Sequence, residues 1–577
     1  MSEASVLSTL QERAGLQPDD IAFTYVDYDT DWAGKSEDVT WSQLFRRTQN
    51  LAREVAKHGT TGERAVILAP QGMDYVTAFL GSMLAGFIAV PLPLPFAGSH
   101  DDRVSAVIAD TAPAVVLTTS ASSEIVHEYV GRASGAENAA VIEVDSLDLD
   151  ARGGGRMRID GLPEIAYLQY TSGSTRTPAG VIITHSNLDS NFRQLMASYF
   201  PTTSGIAPAG TTVVSWLPFY HDMGLVQGIV CPILGGLHGH LSSPMSFLQR
   251  PARWLHALAA YPHTWSAAPN FALELAAAKI TDEDMAGLDL SGVMGITCGA
   301  ERIHPTTLKR FADRFAKFGF NSEAFRPSYG LAEATVFVAC RTIPGPPKVV
   351  NFDAERLAAD RAELCKAPGG IPLLSYGAAQ SPVVRIVDAD TLVEVPEGTV
   401  GEIWTEGPNV APGYWNKPEL SEKTFGGVLR DPSPGTPAGP WLRTGDLGFF
   451  TDGELFIVGR MKDILIIRGR NHYPEDIEST VSEITRGRVA AISVTAGETE
   501  KLVLIIEYRT PRNTEGSDPV ESAINDVTAA IARAHGLTAA DLVLVAPGSI
   551  PTTTSGKIRR AACGDLYLGQ QFTRLGS

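Results

Sequence analysis

Cysteine is scarce in this chain. The 577 residues hold five, Cys231, Cys298, Cys340, Cys365 and Cys563, set far apart with no CxxC pair and no Cys/His cluster. That excludes a disulfide framework and a thiolate zinc site, and reads as reduced, buried thiols. Positive charge is also short: 47 Lys and Arg against 65 Asp and Glu leave a net charge of −18. Such a surface repels nucleic-acid phosphates and anionic bilayers, so neither is expected as a main partner. The opening MSEASVLSTLQERAG lacks a basic stretch followed by an apolar one, so a cytoplasmic protein is expected rather than a secreted one. Long apolar segments are missing too. The uncharged run of 26 residues, Tyr75–His100, is interrupted by Gly81 and Gly86 and closed by Pro91, Pro93 and Pro95. It reads as a buried helix followed by extended chain, not as a stable membrane insertion.

What is present is an ordinary soluble composition, 44% hydrophobic and 19% charged, in a chain long enough for several structural units. From about residue 20 to 300, short apolar runs alternate with helical patterns. Thr40-Trp-Ser-Gln43 has the form of a capping box ahead of Leu44, Leu51, Ala52 and Val55. Ala65–Ala69, Val115–Thr119 and Ala140–Val144 are partly β-branched, as strands covered on both faces should be. The expected fold class is therefore α/β, with mostly parallel sheets. From about 380 to 460 the texture changes to strands between Gly/Pro/Asp turns, a smaller β-rich subdomain. Beyond Arg460 comes an α+β unit with strands at Ile464–Ile467, Leu502–Glu507 and Leu542–Val545 and a helix around Val520–His535. The expected organisation is a large N-terminal domain, 1–460, and a small C-terminal domain, 461–577. Arg430–Pro440, with four prolines and two glycines, reads as a linker.

The strongest local signal is Tyr170-Thr-Ser-Gly-Ser-Thr-Arg-Thr-Pro-Ala-Gly180 after the strand-like Ile165–Gln169. Small hydroxyl residues around a glycine turn several backbone N–H groups into one concavity, and such a nest binds phosphate. It is not a Walker loop, since GxxxxGK[ST] is absent there. Read alone, such a loop is more often just a flexible turn.

Further motifs follow in a fixed order: Trp216-Leu-Pro-Phe-Tyr-His-Asp-Met-Gly224, Gly299-Ala-Glu-Arg302, Tyr329-Gly-Leu-Ala-Glu333, Gly401-Glu-Ile403, Tyr414-Trp415, Arg443-Thr-Gly-Asp446, Gly459-Arg-Met-Lys-Asp463 and Ser555-Gly-Lys557. This series, spread over nearly the whole chain, resembles the adenylate-forming superfamily of acyl-CoA synthetases, luciferases and peptide-synthetase adenylation domains. The resemblance implies that Thr171, Ser172, Gly173, Ser174 and Thr175 bind ATP phosphates, while Gly299, Ala300, Ser328, Tyr329 and Gly330 wall the adenine slot. Asp446 would accept hydrogen bonds from the ribose, with Arg460 near ribose and phosphate. Glu333 would hold Mg²⁺, a hard cation that keeps its other sites for phosphate and water. Lys557 would be the catalytic lysine, supplying charge where carboxylate attack on the α-phosphorus concentrates negative charge. It lies 20 residues from the C-terminus, so the resemblance implies a mobile C-terminal domain that closes over the ATP site, pivoting near Lys462. His221 is a second catalytic candidate, donating to a phosphate oxygen or to the carboxylate; a histidine packed between Tyr220 and Asp222 reads almost as well.

Arg176 and Ala179 depart from the broad superfamily pattern and resemble fatty acyl-AMP ligases of mycobacterial type, as do RPSYGLAEAT from Arg326 and RGRNHY from Arg468. That branch carries an insertion at the position of Arg341–Ile371. It implies a fatty acid substrate whose acyl group passes to an acyl carrier protein of a polyketide synthase in lipid biosynthesis. An ordinary surface loop at 341–371 would look similar. Two other readings stay open: a long-chain acyl-CoA synthetase, and a non-catalytic acyl-adenylate-binding protein. Leu225–Leu234, Phe247, Leu248 and Ala267–Leu275 supply apolar side chains for an acyl tunnel.

Overall fold

Short β-branched runs pair across the sheet while the helices between them cover its faces. In the computed structural model, Ala140–Glu143, Val115–Thr118, Arg64–Ile67, Ile88–Pro91 and Ile165–Tyr170 lie parallel in that spatial order, closed by antiparallel Gly180–Thr184. The structure describes residues 5–575 apart from 96–101, 154, 156, 158, 160, 171–177, 343–344, 366–369, 379–380, 468–469, 497–498, 511–518 and 554–555. A second, eight-stranded sheet has a parallel centre of Phe325–Tyr329, Val293–Cys298, His263–Ala268, Thr211–Ser215, His238–Ser242 and Ile21–Asp27. Its edges, Ala339–Cys340 and Lys35–Thr40, are antiparallel.

One apolar core joins residues of both sheets, such as Ile67, Ala89, Phe23 and Leu241, through the helices Trp41–Val55 and Met73–Leu84. The Thr40–Gln43 capping box forms at the first of these helices. The second is buried on every face except at Asp74, which is why its stretch reads as apolar throughout, and Ile88–Pro91 is the extended chain after it. Among the described residues no helix is long and apolar enough to cross a membrane.

Val383–Val387, Gly401–Glu406, Leu442–Thr451 and Glu454–Arg460 form a four-stranded antiparallel sheet. Arg430–Pro440 is not a linker. Leu429 N–H donates to Ala438 O (2.8 Å), the Ser433 backbone N–H donates to Glu394 (2.8 Å), and Thr436 is buried, so the prolines shape a loop packed on this sheet. Beyond Arg460, Thr499–Glu507 lies between antiparallel Val489–Ala496 and parallel Asp541–Val545. Helices Pro474–Thr485 and Pro519–His535 cover one face, and Arg560–Leu568, through Cys563, covers the other.

The 341–371 segment makes its own small structure, Val349–Phe352 paired antiparallel with Ile371–Leu374 and a helical turn Ala354–Leu357. Phe352, Leu357 and Leu373 share a core with Phe449, Phe456 and Val458 of the four-stranded sheet and with Tyr473 beyond Arg460.

Candidate active site

Parallel strands end together, and a crevice beyond their C-terminal ends is where open α/β sheets bind ligands. Here the strands Val293–Cys298 and Phe325–Tyr329 end side by side and lead into Gly299-Ala300 and Gly330. A Cβ at Gly330 would sit only 1.5 Å from Val336 O, so that position requires glycine for close backbone approach, and one at Gly299 would be tight at 3.0 Å from Ser328 O. Ala300 adopts φ +70°, a left-handed conformation beside the same slot. The expected adenine walls, Gly299, Ala300, Ser328, Tyr329 and Gly330, are thus brought together.

Asp446 lies inside the long strand Leu442–Thr451, not in a turn as its Thr-Gly-Asp setting suggests, opposite Arg460 in register, with the left-handed conformation confined to Gly445. Its buried carboxylate pairs with Arg460 Nε through Oδ1 (3.1 Å) and accepts from Tyr329 OH through Oδ2 (2.8 Å). Both oxygens are already oriented toward the slot wall. Glu333, in the short turn Ala332–Ala334, is fixed by Tyr414 OH, which donates to Oε1 (2.7 Å). Burial raises its pKa, while Tyr414 and Arg460 pull it down. One carboxylate with an oxygen to spare suits a magnesium ion that takes its other ligands from phosphate and water. Among the described residues no cluster of three or more His, Cys, Asp or Glu would hold a metal unaided.

His221 caps the short helix Asp222–Leu225, tilted against the Tyr220 ring at a centroid distance of 4.9 Å. Burial, with the positive charges of Lys557 and Arg103, lowers its pKa to about 3, so the ring is neutral at physiological pH and offers one N–H. Lys557, carried on the turn before Arg560–Leu568, acts electrostatically on His221, Asp222 and Glu301, and feels Arg460 and Asp446 in return. Burial and then Arg460 lower its own pKa. The C-terminal segment is therefore seated over the crevice, with Lys557 facing groups from three separate motifs. Lys462 is exposed on the turn Met461–Asp463 after Arg460, and its pKa is lowered by desolvation and then by Arg460. Thr171, Ser172, Gly173, Ser174 and Thr175 lie outside the described residues. Their lead-in is anchored: Tyr170 OH donates to Asp110 Oδ2 (2.6 Å), and Asp110 also pairs with Lys417 (3.4 Å).

Three structural roles escaped the sequence reading. Tyr414 was quoted within a motif but given no role. Arg103 sits beside Tyr220 and His221 with no motif to mark it. Arg560, assigned no role from the sequence, sits among Glu478 (2.7 Å), Glu475 (3.0 Å) and Asp463 (3.0 Å). It ties the Lys557 loop to the segment after Lys462. Arg302 spans the two parts of the molecule, pairing with Asp476 at 2.6 Å in a partly buried contact.

Next to the crevice lies a small cavity of about 30 Å³, walled by Leu195, Val213, Leu237, Trp265 and Ala267 together with Gln227 and Cys231. Of the stretches expected to line a tunnel, only these last three residues do so. Phe247 instead stacks on Trp216 at 3.9 Å and Leu248 is exposed, because that short helix packs outside the sheet rather than over the cavity.

The family model described as AMP-binding enzyme matches residues 10–415. The chain belongs to this family of adenylate-forming enzymes. A second model, the AMP domain of Disco-interacting protein 2-like proteins, matches residues 462–575 of the enzyme. Putative fatty-acid–CoA ligase FadD21 of Mycobacterium tuberculosis is 62% identical over 577 residues, 100% of both chains. Long-chain-fatty-acid–AMP ligase FadD28 of the same species is 56% identical over 579 residues, again 100% of both. A fatty acyl-adenylate ligase from Legionella pneumophila, solved with acyl adenylate and pyrophosphate, is 33% identical with a TM-score of 0.73, covering 98% of this chain and 96% of that one.

Proposed function

We propose that the enzyme activates a medium- or long-chain fatty acid with ATP, releasing pyrophosphate, and passes the acyl group to an acyl carrier protein of a polyketide synthase for lipid biosynthesis in the cytoplasm. The observation that carries the first step is that the Lys557 charge is coupled electrostatically to Asp222, Glu301 and Asp446. A carboxylate oxygen attacks the α-phosphorus, the bond to the bridging oxygen breaks, and pyrophosphate leaves. Two anions approach one another, and the lysine ammonium compensates charge that peaks in the transition state. Asp446, held by Tyr329 and Arg460, orients the ribose, and neutral His221 donates its one N–H to a phosphate or carboxylate oxygen. Glu333 is the residue that would hold Mg²⁺, which supplies charge neutralisation on the phosphates.

What supports a carrier protein over coenzyme A is the packing of the 341–371 segment. Asn471 Nδ2 lies 3.4 Å from both oxygens of Asp360, and Tyr473 sits in the core formed with Phe352 and Leu357. Handing the acyl group to a small thiol requires a second orientation of the C-terminal domain, pivoting near Lys462. Contacts that disfavour it by ~3 kcal/mol lower its population by roughly 150-fold. The name of the FadD21 relative points to coenzyme A instead, so the acceptor is the point to test. Mass spectrometry of products from a fatty-acid panel, with and without coenzyme A, is expected to show acyl-AMP and almost no acyl-CoA. A variant with residues 353–370 replaced by a short Gly/Ser loop is expected to keep adenylation and gain thioester formation. Rapid acyl-CoA synthesis by the intact enzyme would establish the acyl-CoA synthetase reading. Absence of pyrophosphate release with every acid would leave only a non-catalytic adenylate binder.

A further inference from the structure

In a chain of net charge −18, one concavity has the opposite sign. It lies between the helices Val6–Leu16 and Trp41–Val55 and the segment 151–153, and has a volume of about 310 Å³. That is the lower end of the range for small-molecule sites. Its lining holds Arg46, Arg53 and Arg152 and no acidic residue. On the second helix, positions 46, 49, 50 and 53 recur at three- and four-residue steps and so share one face, beside the buried stripe of Leu44, Leu51 and Val55.

The wall is held in place by its own bonds. Asn50 Nδ2 donates to Leu149 O (2.7 Å) and Ala151 O (3.0 Å), and Arg53 donates to Asn50 Oδ1 (2.5 Å) and to Gly155 O. The acids nearby are already paired. Asp150 takes both Arg46 (3.2 Å) and Arg47 (3.0 Å), Arg47 also takes Glu37 (2.6 Å), and Glu54 takes Lys57 (2.6 Å). The partners of Arg53 are an amide oxygen and a carbonyl, which accept hydrogen bonds without cancelling its charge. Arg152 is exposed, and among the described residues no carboxylate pairs with it or with Arg53. The facing wall differs in character. Ala14 and Gly15 belong to the last turn of Val6–Leu16, where helix carbonyls lack intrahelical partners and favour hydrogen-bond donors over anions. Gln11 lines the same side.

We propose that this concavity, apart from the ATP crevice, binds the phosphate monoester of a small hydroxylated molecule. The phosphate lies against Arg46, Arg53 and Arg152, whose planar guanidinium forks match its oxygens, and the hydroxyls face Gln11 and the carbonyls of the last helical turn. A bare anion would use only the arginine side, so the two-sided lining favours an ester.

The test is calorimetric titration of the full-length enzyme at low ionic strength with glycerol 3-phosphate, inorganic phosphate and glycerol, repeated on Arg53→Gln and Arg152→Gln. Both phosphates are expected to saturate a site that glycerol does not, the ester more tightly. Arg53→Gln is expected to weaken ester binding by about 10-fold, the loss of one charge-assisted contact, and Arg152→Gln by several-fold, since its exposed charge is screened. Arg53 also clasps the 149–155 segment, so Arg152→Gln, which removes no internal bond, separates lost charge from a disturbed wall; its pyrophosphate release from ATP and fatty acid should match the parent. The proposal is overturned if neither phosphate gives saturable binding, or if the ester binds no more tightly than inorganic phosphate. It is equally overturned if Arg152→Gln and Arg53→Gln both leave the affinity unchanged, as they would were the phosphate held in the ATP crevice.

Discussion

Replacing Arg560 with methionine is expected to loosen the C-terminal unit and, through it, the placement of Lys557. The Arg560 side chain is 16% exposed and faces three carboxylates, Glu478 at 2.7 Å, Glu475 at 3.0 Å and Asp463 at 3.0 Å. Methionine preserves much of the stem but leaves Glu475 and Glu478 sharing a buried space without a cation. Removing one partner of a buried ion pair costs ~3–5 kcal/mol, because the remaining charge has lost its water and its counter-charge. Burial already raises the Glu478 pKa, with Arg560 pulling against it. In the variant that carboxyl binds its proton more tightly in the folded than in the unfolded state. Stability then falls as pH rises above the unfolded carboxylate range of about 4.3. The deficit should be small near pH ~5 and complete by pH ~8. Calorimetric melting across that range, with pyrophosphate release measured in parallel, reads both effects. Tryptophan fluorescence would miss them, since the segment 461–577 contains no tryptophan. Glu478→Gln in the Arg560→Met background should recover much of the loss, because glutamine keeps the oxygen that accepts from Ala491 N–H (3.0 Å). A variant as stable as the parent at high pH, or a deficit that ignores pH, refutes the reasoning.

Lys557→Ala is expected to lower the adenylation rate by ~10²–10³ while leaving ATP binding nearly intact, since its charge is needed most in the transition state; single-turnover rates near the parental value would remove it from the mechanism. Asp446→Asn should act mainly on nucleotide affinity, by roughly 1.5–3 kcal/mol, as the ribose contact is made equally in ground and transition states; calorimetric titration with ATP showing no change would contradict that role. His221, with its pKa lowered to about 3, should contribute no titration to the rate between about pH 5 and 8. An inflection in that window present in the enzyme and lost in His221→Gln would show the ring to be charged in its resting state.

The linear order of residues determined the architecture to the extent that local rules reach. β-Branched runs with intervening helical patterns specify parallel sheets, and Thr40-Trp-Ser-Gln43 specifies a helix start, because both depend on neighbours a few positions away. Glycines at 299 and 330 carry the close approach at the slot in their identity. Three things only tertiary structure decided. The role of Arg560 depends on partners 82, 85 and 97 positions away, and a charge is legible as paired only when the acids around it are seen. Arg430–Pro440 looked like a linker because composition records turns but not what they pack against. Which residues of the apolar stretches line a cavity was the third. Gln227, Cys231 and Ala267 do and Phe247 and Leu248 do not, because that wall is assembled from the helix His185–Tyr199 and the strands Thr211–Ser215 and His263–Ala268, which only folding brings together.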